Sequence, residues 1–200
     1  MSNESYPVEF QVEYPQRSSR LWALFSVIPL KFVALIIHWL VMIVFSLAMA
    51  VVFFISQIIV LFAGRYPEGM HTFMVKVLRW QMQISAFSYG LRDEFPPFAP
   101  SKDPSAVTLT MSRPETSSRG WAIMTMLGIK ALALLPHSII LGALSLAMVV
   151  IWFVSQIAVL FTGRFPQGMH DFIVGVLRWS TRVTAFSLGL CDRYPPFSLK

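Results

Sequence analysis

The sequence predicts an all-α integral membrane protein made of two pseudo-symmetric helical repeats, and three observations lead to that fold class. Of its 200 residues 56% are hydrophobic and only 13% are charged, with a mean hydropathy of +0.63, whereas roughly a quarter of the residues in soluble domains are charged. Between Arg20 and Arg65 the only formal charge is Lys31, and between Lys130 and Arg164 there is none. Each run therefore exceeds the ~20 apolar residues that cross a bilayer core of ~30 Å. Finally, shifting the chain by 99 positions aligns residues 8–98 with 107–197 without a gap, and about 44 of those 91 pairs are identical. The chain is thus a duplication, with repeat 1 at 1–98, a linker at 99–106 and repeat 2 at 107–200.

Each copy opens with an alternating stretch, VEFQVEYP from Val8 and VTLTMSRP from Val107. A period of two predicts a short extramembrane strand that ends at Pro15 or Pro114, and two such strands can pair. A Ser-Arg-x-Trp element follows, Arg20 with Trp22 and Arg119 with Trp121, which suits an interfacial anchor. The long apolar runs, Leu35 to Phe62 and Pro136 to Phe161, are the predicted spans, with Pro136 placed where a first helical turn tolerates it. Ser56-Gln57 and Ser155-Gln156 interrupt them late, and such side chains inside a membrane hydrogen-bond across helices.

Gly64-Arg65-Tyr66-Pro67 and Gly163-Arg164-Phe165-Pro166 then end each run, since Gly and Pro punctuate helices. The following segments, Met70 to Leu91 and Met169 to Leu190, are long enough for a helix that returns across the membrane, the preferred reading, or lies in its interface as an amphipathic helix. If each unit crosses an even number of times, the two copies share one orientation and an axis along the membrane normal relates them. Each copy closes with an aspartate and a double proline, RDEFPPF from Arg92 and CDRYPPF from Cys191.

The N-terminus lacks a basic region followed by a short apolar stretch, so the apolar helices are expected to direct insertion in place of a cleaved signal peptide. A single cysteine, Cys191, leaves no internal disulfide and no cysteine metal cluster. The net charge of +6 lies beside apolar runs and not in tracts with exposed aromatics, which points to anionic lipid headgroups and not to nucleic acid.

The ordered set P-V-x-F-x-V-x-Y-P, L-F-[AT]-G-R-[YF]-P-x-G, V-L-R-W and D-x-[YF]-P-P-F resembles a family of bacterial membrane proteins known only as a domain of unknown function, here in tandem. The resemblance implies an integral membrane unit of the bacterial inner membrane and supplies no catalytic residues.

Candidate site residues follow from the duplication. Arg65 and Arg164, beside glycine in a turn, can cap the preceding helix or hold a lipid phosphate. Arg79 and Arg178, each followed by tryptophan, are further candidates for lipid headgroups, since they are costly in a bilayer centre unless paired or watered. The histidines form two repeat-related pairs, His38 with His137 and His71 with His170. Such pairs could ligate a haem or pigment, although matching residues are expected from duplication alone, and neither a cofactor nor a metal is expected. With no phosphate loop, nucleophile elbow or metalloprotease motif present, the expectation is a non-enzymatic accessory subunit or scaffold. It would contact membrane lipids and pack against a membrane-protein partner or itself. The alternatives are a lipid or small-solute transporter or channel, and a histidine-ligated cofactor subunit.

Overall fold

The computed structural model describes residues 6–100 and 106–200; within the linker, 101–105 lie outside the described residues. The strands form where the period of two places them, β1 at Val8–Val12 and β2 at Val107–Met111, and they pair antiparallel with Phe10 opposite Leu109. These two residues occupy the same repeat position, so a pseudo-twofold axis passes between them. Val8, Phe10, Val12, Val107 and Leu109 are buried, while Glu9, Gln11, Thr108 and Thr110 face outward.

Repeat 1 continues with α1 (Arg20–Val27), α2 (Leu30–Ala34), α3 (Ile36–Ala63) and α4 (Glu68–Ser88). Repeat 2 matches it with α5 (Arg119–Met126), α6 (Ile129–Ala133), α7 (Leu135–Thr162) and α8 (Gln167–Ser187). The long helices α3 and α7 begin and end within one residue of the expected apolar runs, and Pro136 sits in the first turn of α7. Both stop at a glycine in left-handed conformation, Gly64 with φ +66° and Gly163 with φ +70°, which is the usual helix terminator because glycine has no Cβ to clash there. Among the described residues these are the two helices long and apolar enough to cross a membrane.

The strand-facing layer is α4 and α8. Helix α4 packs beneath β2 and α8 beneath β1, and Thr181 Oγ1 lies 3.2 Å from Met82 Sδ, again one repeat position meeting its counterpart on the axis. Helix α3 packs against α4, and helix α7 against α8. Helix α4 starts at the turn ending α3, and beyond its C-terminus Asp93 accepts from Ser19 N at 2.7 Å while Ser18 N donates to Gly163 O. It thus runs from one Gly-Arg turn to the other beneath the sheet.

The copies are intertwined. Helix α1 packs on α7 of the other repeat, and α5 on α3. Gln57 Nε2 donates to Leu188 O at 3.4 Å and Gln156 Nε2 to Tyr89 O at 3.3 Å, so the polar interruptions of the apolar runs bond across helices as expected, and they do so between repeats.

Candidate functional site

The short helices α2 and α6 bring each repeat's isolated lysine into the interior. Lys31 is 2% exposed and Lys130 3%, and neither Nζ has a hydrogen-bond partner. Each ammonium lies over aromatic faces: Lys31 Nζ is 4.3 Å from the Phe87 ring and 5.9 Å from Trp22, and Lys130 Nζ is 4.3 Å from Phe186 and 5.8 Å from Trp121. A desolvated cation over such rings gains up to about 2 kcal/mol. That offsets only part of the burial cost, and burial lowers both lysines to about 8, while Asp93 and Asp192 act in the opposite direction. Sequence reading passed over this pair, although a lone charge in an apolar run, repeated 99 residues later, was the available signal.

A pH dependence follows. Folded Lys31 and Lys130 release protons near pH 8, whereas in the unfolded chain they hold them to about 10.5, so the unfolded state binds more protons in between and stability rises with pH. Denaturant titrations from pH 8 to 10 should show this rise, and the variant Lys31→Met/Lys130→Met should lack it. A flat or falling profile in the parent would contradict the assignment. The titration is made in a Cys191→Ser background, because burial also raises that thiol and its ionisation on unfolding would act with the opposite sign within the window. The window ends at 10 because burial raises the phenols of Tyr6, Tyr66 and Tyr89, which act in the same opposing sense above that pH.

The arginine candidates divide. Arg79 donates through Nε and Nη2 to Leu109 O at 3.1 and 2.9 Å, and Arg178 donates through Nε to Phe10 O at 2.9 Å and through Nη1 to Leu199 O at 3.0 Å. The carbonyls of Leu109 and Phe10 belong to the central residues of the two strands, so each arginine caps one edge of the sheet, where an unpaired strand group otherwise invites another chain. Arg79→Ala or Arg178→Ala should cost about 1.5–3 kcal/mol, the range for hydrogen bonds to charged groups, read by thermal unfolding in detergent. A loss below 0.5 kcal/mol, on the order of an exposed pair, would show the contacts to be incidental.

Arg65 and Arg164 are exposed, and the expected capping of the preceding helix falls to other residues. Arg20 Nη2 donates to Phe161 O at 3.3 Å and Arg119 Nη2 to Phe62 O at 3.2 Å, so each long helix is capped by the anchor arginine of the opposite copy, favourably placed against its dipole.

The histidines enter two kinds of setting. His38 Nε2 donates to Pro96 O at 3.0 Å and stacks on Phe98 at 4.6 Å; His137 stacks on Phe197 at 3.9 Å and accepts from Trp179 Nε1 at 3.0 Å. The FPPF and YPPF segments thus close over them. His71 and His170 are buried in the first turns of α4 and α8 against Tyr66 and Phe165. Burial lowers both, with a backbone bond at Leu190 and the Asp171 carboxylate opposing it. Among the described residues no group of three or more His, Cys, Asp or Glu side chains is placed to hold a metal ion.

One cavity stands out, about 770 Å³ between α3, α4 and α7. Phe32, Trp39, Met42, Leu47 and Trp152 supply apolar walls, and Ser46, Gln81, Ser85 and Ser88 add polar groups. It is asymmetric by sequence, because Ala131 and Ser138 occupy the positions equivalent to Phe32 and Trp39.

The profile of the family described as Domain of unknown function (DUF4389) matches residues 27–99 and again 125–198. No curated protein and no solved structure matches the chain.

Proposed function

The chain belongs to this family of unknown function, which it carries twice, and from that premise we propose that it is a non-enzymatic scaffold or accessory subunit of a larger complex in the bacterial inner membrane. One observation supports the reading most. Four pairs of polar side chains that recur in both copies are used to build the fold: Arg20 and Arg119 cap helices, Arg79 and Arg178 cap strands, Asp93 and Asp192 hold helix starts, and Gln57 and Gln156 join the copies. Extensive apolar surface remains on α3 and α7, including Val44 at 65%, Phe62 at 77% and Leu146 at 74% exposure. Such faces suit lipid and partner helices. Solubilising native membranes in mild detergent and weighing the complex tests the proposal: a stoichiometric membrane-protein partner is the expected outcome, and a lone monomer under several gentle conditions would sink it. An absorbance band in the same sample would instead favour a cofactor at the histidines.

The cavity favours a second reading, the handling of a lipid chain or apolar solute. In reconstituted vesicles, lipid movement that Ser46→Phe suppresses by filling the cavity would replace the scaffold reading.

A further inference from the structure

We propose that α3 and α7, although long enough to cross, lie crosswise within a single leaflet, so that the protein is monotopic and its apolar face is seated in the acyl layer of a phospholipid membrane. The inference rests on the membrane reading above and specifies its geometry.

The ends of each long helix are tied to one layer. At the C-terminal end of α3, Gly64 O accepts from Ser117 N at 2.9 Å in the segment that leaves β2. At its N-terminal end the His38 ring lies 5.0 Å from Phe95, and Phe95 lies 6.4 Å from Trp22. Trp22 is two residues from Arg20, which binds Phe161 O near the end of α7. The start of α3 is therefore a few side-chain contacts from the end of α7. Repeat 2 has the same connection through His137, Tyr194, Phe186, Trp121 and Arg119, with ring separations of 5.1, 5.6 and 4.9 Å. Phe10 and Leu109 pair across the axis with both side chains on the buried face, so the axis stands perpendicular to the sheet. With the polar outer face of the sheet turned to water, the axis runs along the membrane normal. Both C-terminal ends then lie at one depth, and the two ends of each helix differ in depth by less than the ~30 Å that a crossing requires.

The burial pattern agrees. On α3 the buried or half-buried positions 38, 41, 42, 45, 49, 52, 53, 56, 57, 59 and 60 form one stripe along nearly the whole helix, with position 61 beside it, and α4 together with α5 of the other repeat covers it. The outward surface of the two 28-residue helices has no charged residue, while the opposite surface of the molecule presents Glu9, Gln11, Thr108 and Thr110. A helix layer ~10 Å thick fits within the ~15 Å half of a hydrocarbon core. The exposed Arg65 and Arg164, at the turns that end these helices, then stand at headgroup level, where anionic phosphates complement them.

The test uses single cysteines in a Cys191→Ser background: Glu68→Cys and Gln167→Cys at the turns, Ile36→Cys and Leu135→Cys at the starts of the long helices, with Leu30→Cys and Leu127→Cys in the short segments that lead into them and read in the same way. Flotation with vesicles of phosphatidylethanolamine and phosphatidylglycerol checks the membrane reading first. Inside-out and right-side-out vesicles from expressing cells are then treated with an impermeant maleimide. The expected result is flotation, labelling of both turn positions at least tenfold stronger in one vesicle type, and no labelling of Ile36→Cys, Leu135→Cys, Leu30→Cys or Leu127→Cys from the other face. Labelling of either helix start from the face opposite the turns would overturn the single-leaflet placement and leave the membrane reading intact. Failure to float would remove both, including the case of a soluble assembly in which a second copy covers the apolar face. Either helix-start variant decides the matter if the other fails to fold.

Discussion

Exchanging Asp93 and Asp192 together for alanine is expected to bring the largest loss of stability, about 1.5–3 kcal/mol at each site, the range for hydrogen bonds to charged groups. Each carboxylate accepts a backbone N–H at the start of a helix, Ser19 N and Ser118 N, both at 2.7 Å. Each is also the acidic side chain that opposes the burial of Lys31 or Lys130. Without it, a buried ammonium keeps only its aromatic neighbours. Thermal unfolding in detergent measures the loss, with Glu94→Ala as the control, because Glu94 is exposed and its ion pair with Arg92 is 3.5 Å long. Adding Lys31→Met to Asp93→Ala should recover much of the stability. If it recovers none, the charge coupling is not the cause and the lost N–H bond is.

Alanine at Gly90 and Gly189 should each cost about 2–4 kcal/mol, for two reasons that add. Both glycines have φ +72°, a conformation that costs an L-residue ~1–2 kcal/mol. A Cβ at Gly90 would meet Gln156 Nε2 at 2.5 Å, and one at Gly189 would meet Gln57 Nε2 at 2.8 Å. The glutamines would have to move and give up their bonds to Tyr89 O and Leu188 O, leaving buried polar groups unsatisfied at ~1–3 kcal/mol. Gly69→Ala is the contrast: nothing lies within 4 Å of its Cβ position and the site is helical, so it should be neutral or stabilising by up to about 1 kcal/mol. Equal effects at Gly69 and Gly90 would remove the contact with Gln156 as an explanation.

Much of this architecture was legible because local chemistry decides it. Alternation in VEFQV and VTLTM gave the strands, and glycine before arginine gave the ends of α3 and α7. The exchange between copies was not legible, because duplicated motifs are interchangeable: Ser-Arg-x-Trp fits its own long helix or the other equally well on paper. For the same reason Arg65 and Arg164, adjacent to the helix ends in sequence, were favoured as caps. The left-handed glycine turns the chain away from the helix axis, so the next side chain points outward and a distant arginine takes the place. Arg79 and Arg178 gave a signal of cost without a partner, since the strand carbonyls they bind become neighbours only after the sheet has formed. The lysines were visible as isolated charges, but their aromatic boxes draw on α1, α2 and α4 together.

The interlocked arrangement also has a consequence for synthesis. While the ribosome is still making the second half, β1 has no partner strand until residues 107–111 appear, and α1 has no seat until α7, ending at Thr162, is complete. The first repeat therefore cannot close on its own and must wait with its apolar surfaces open. This interval is expected to be the stage at which the chain depends most on the insertion machinery.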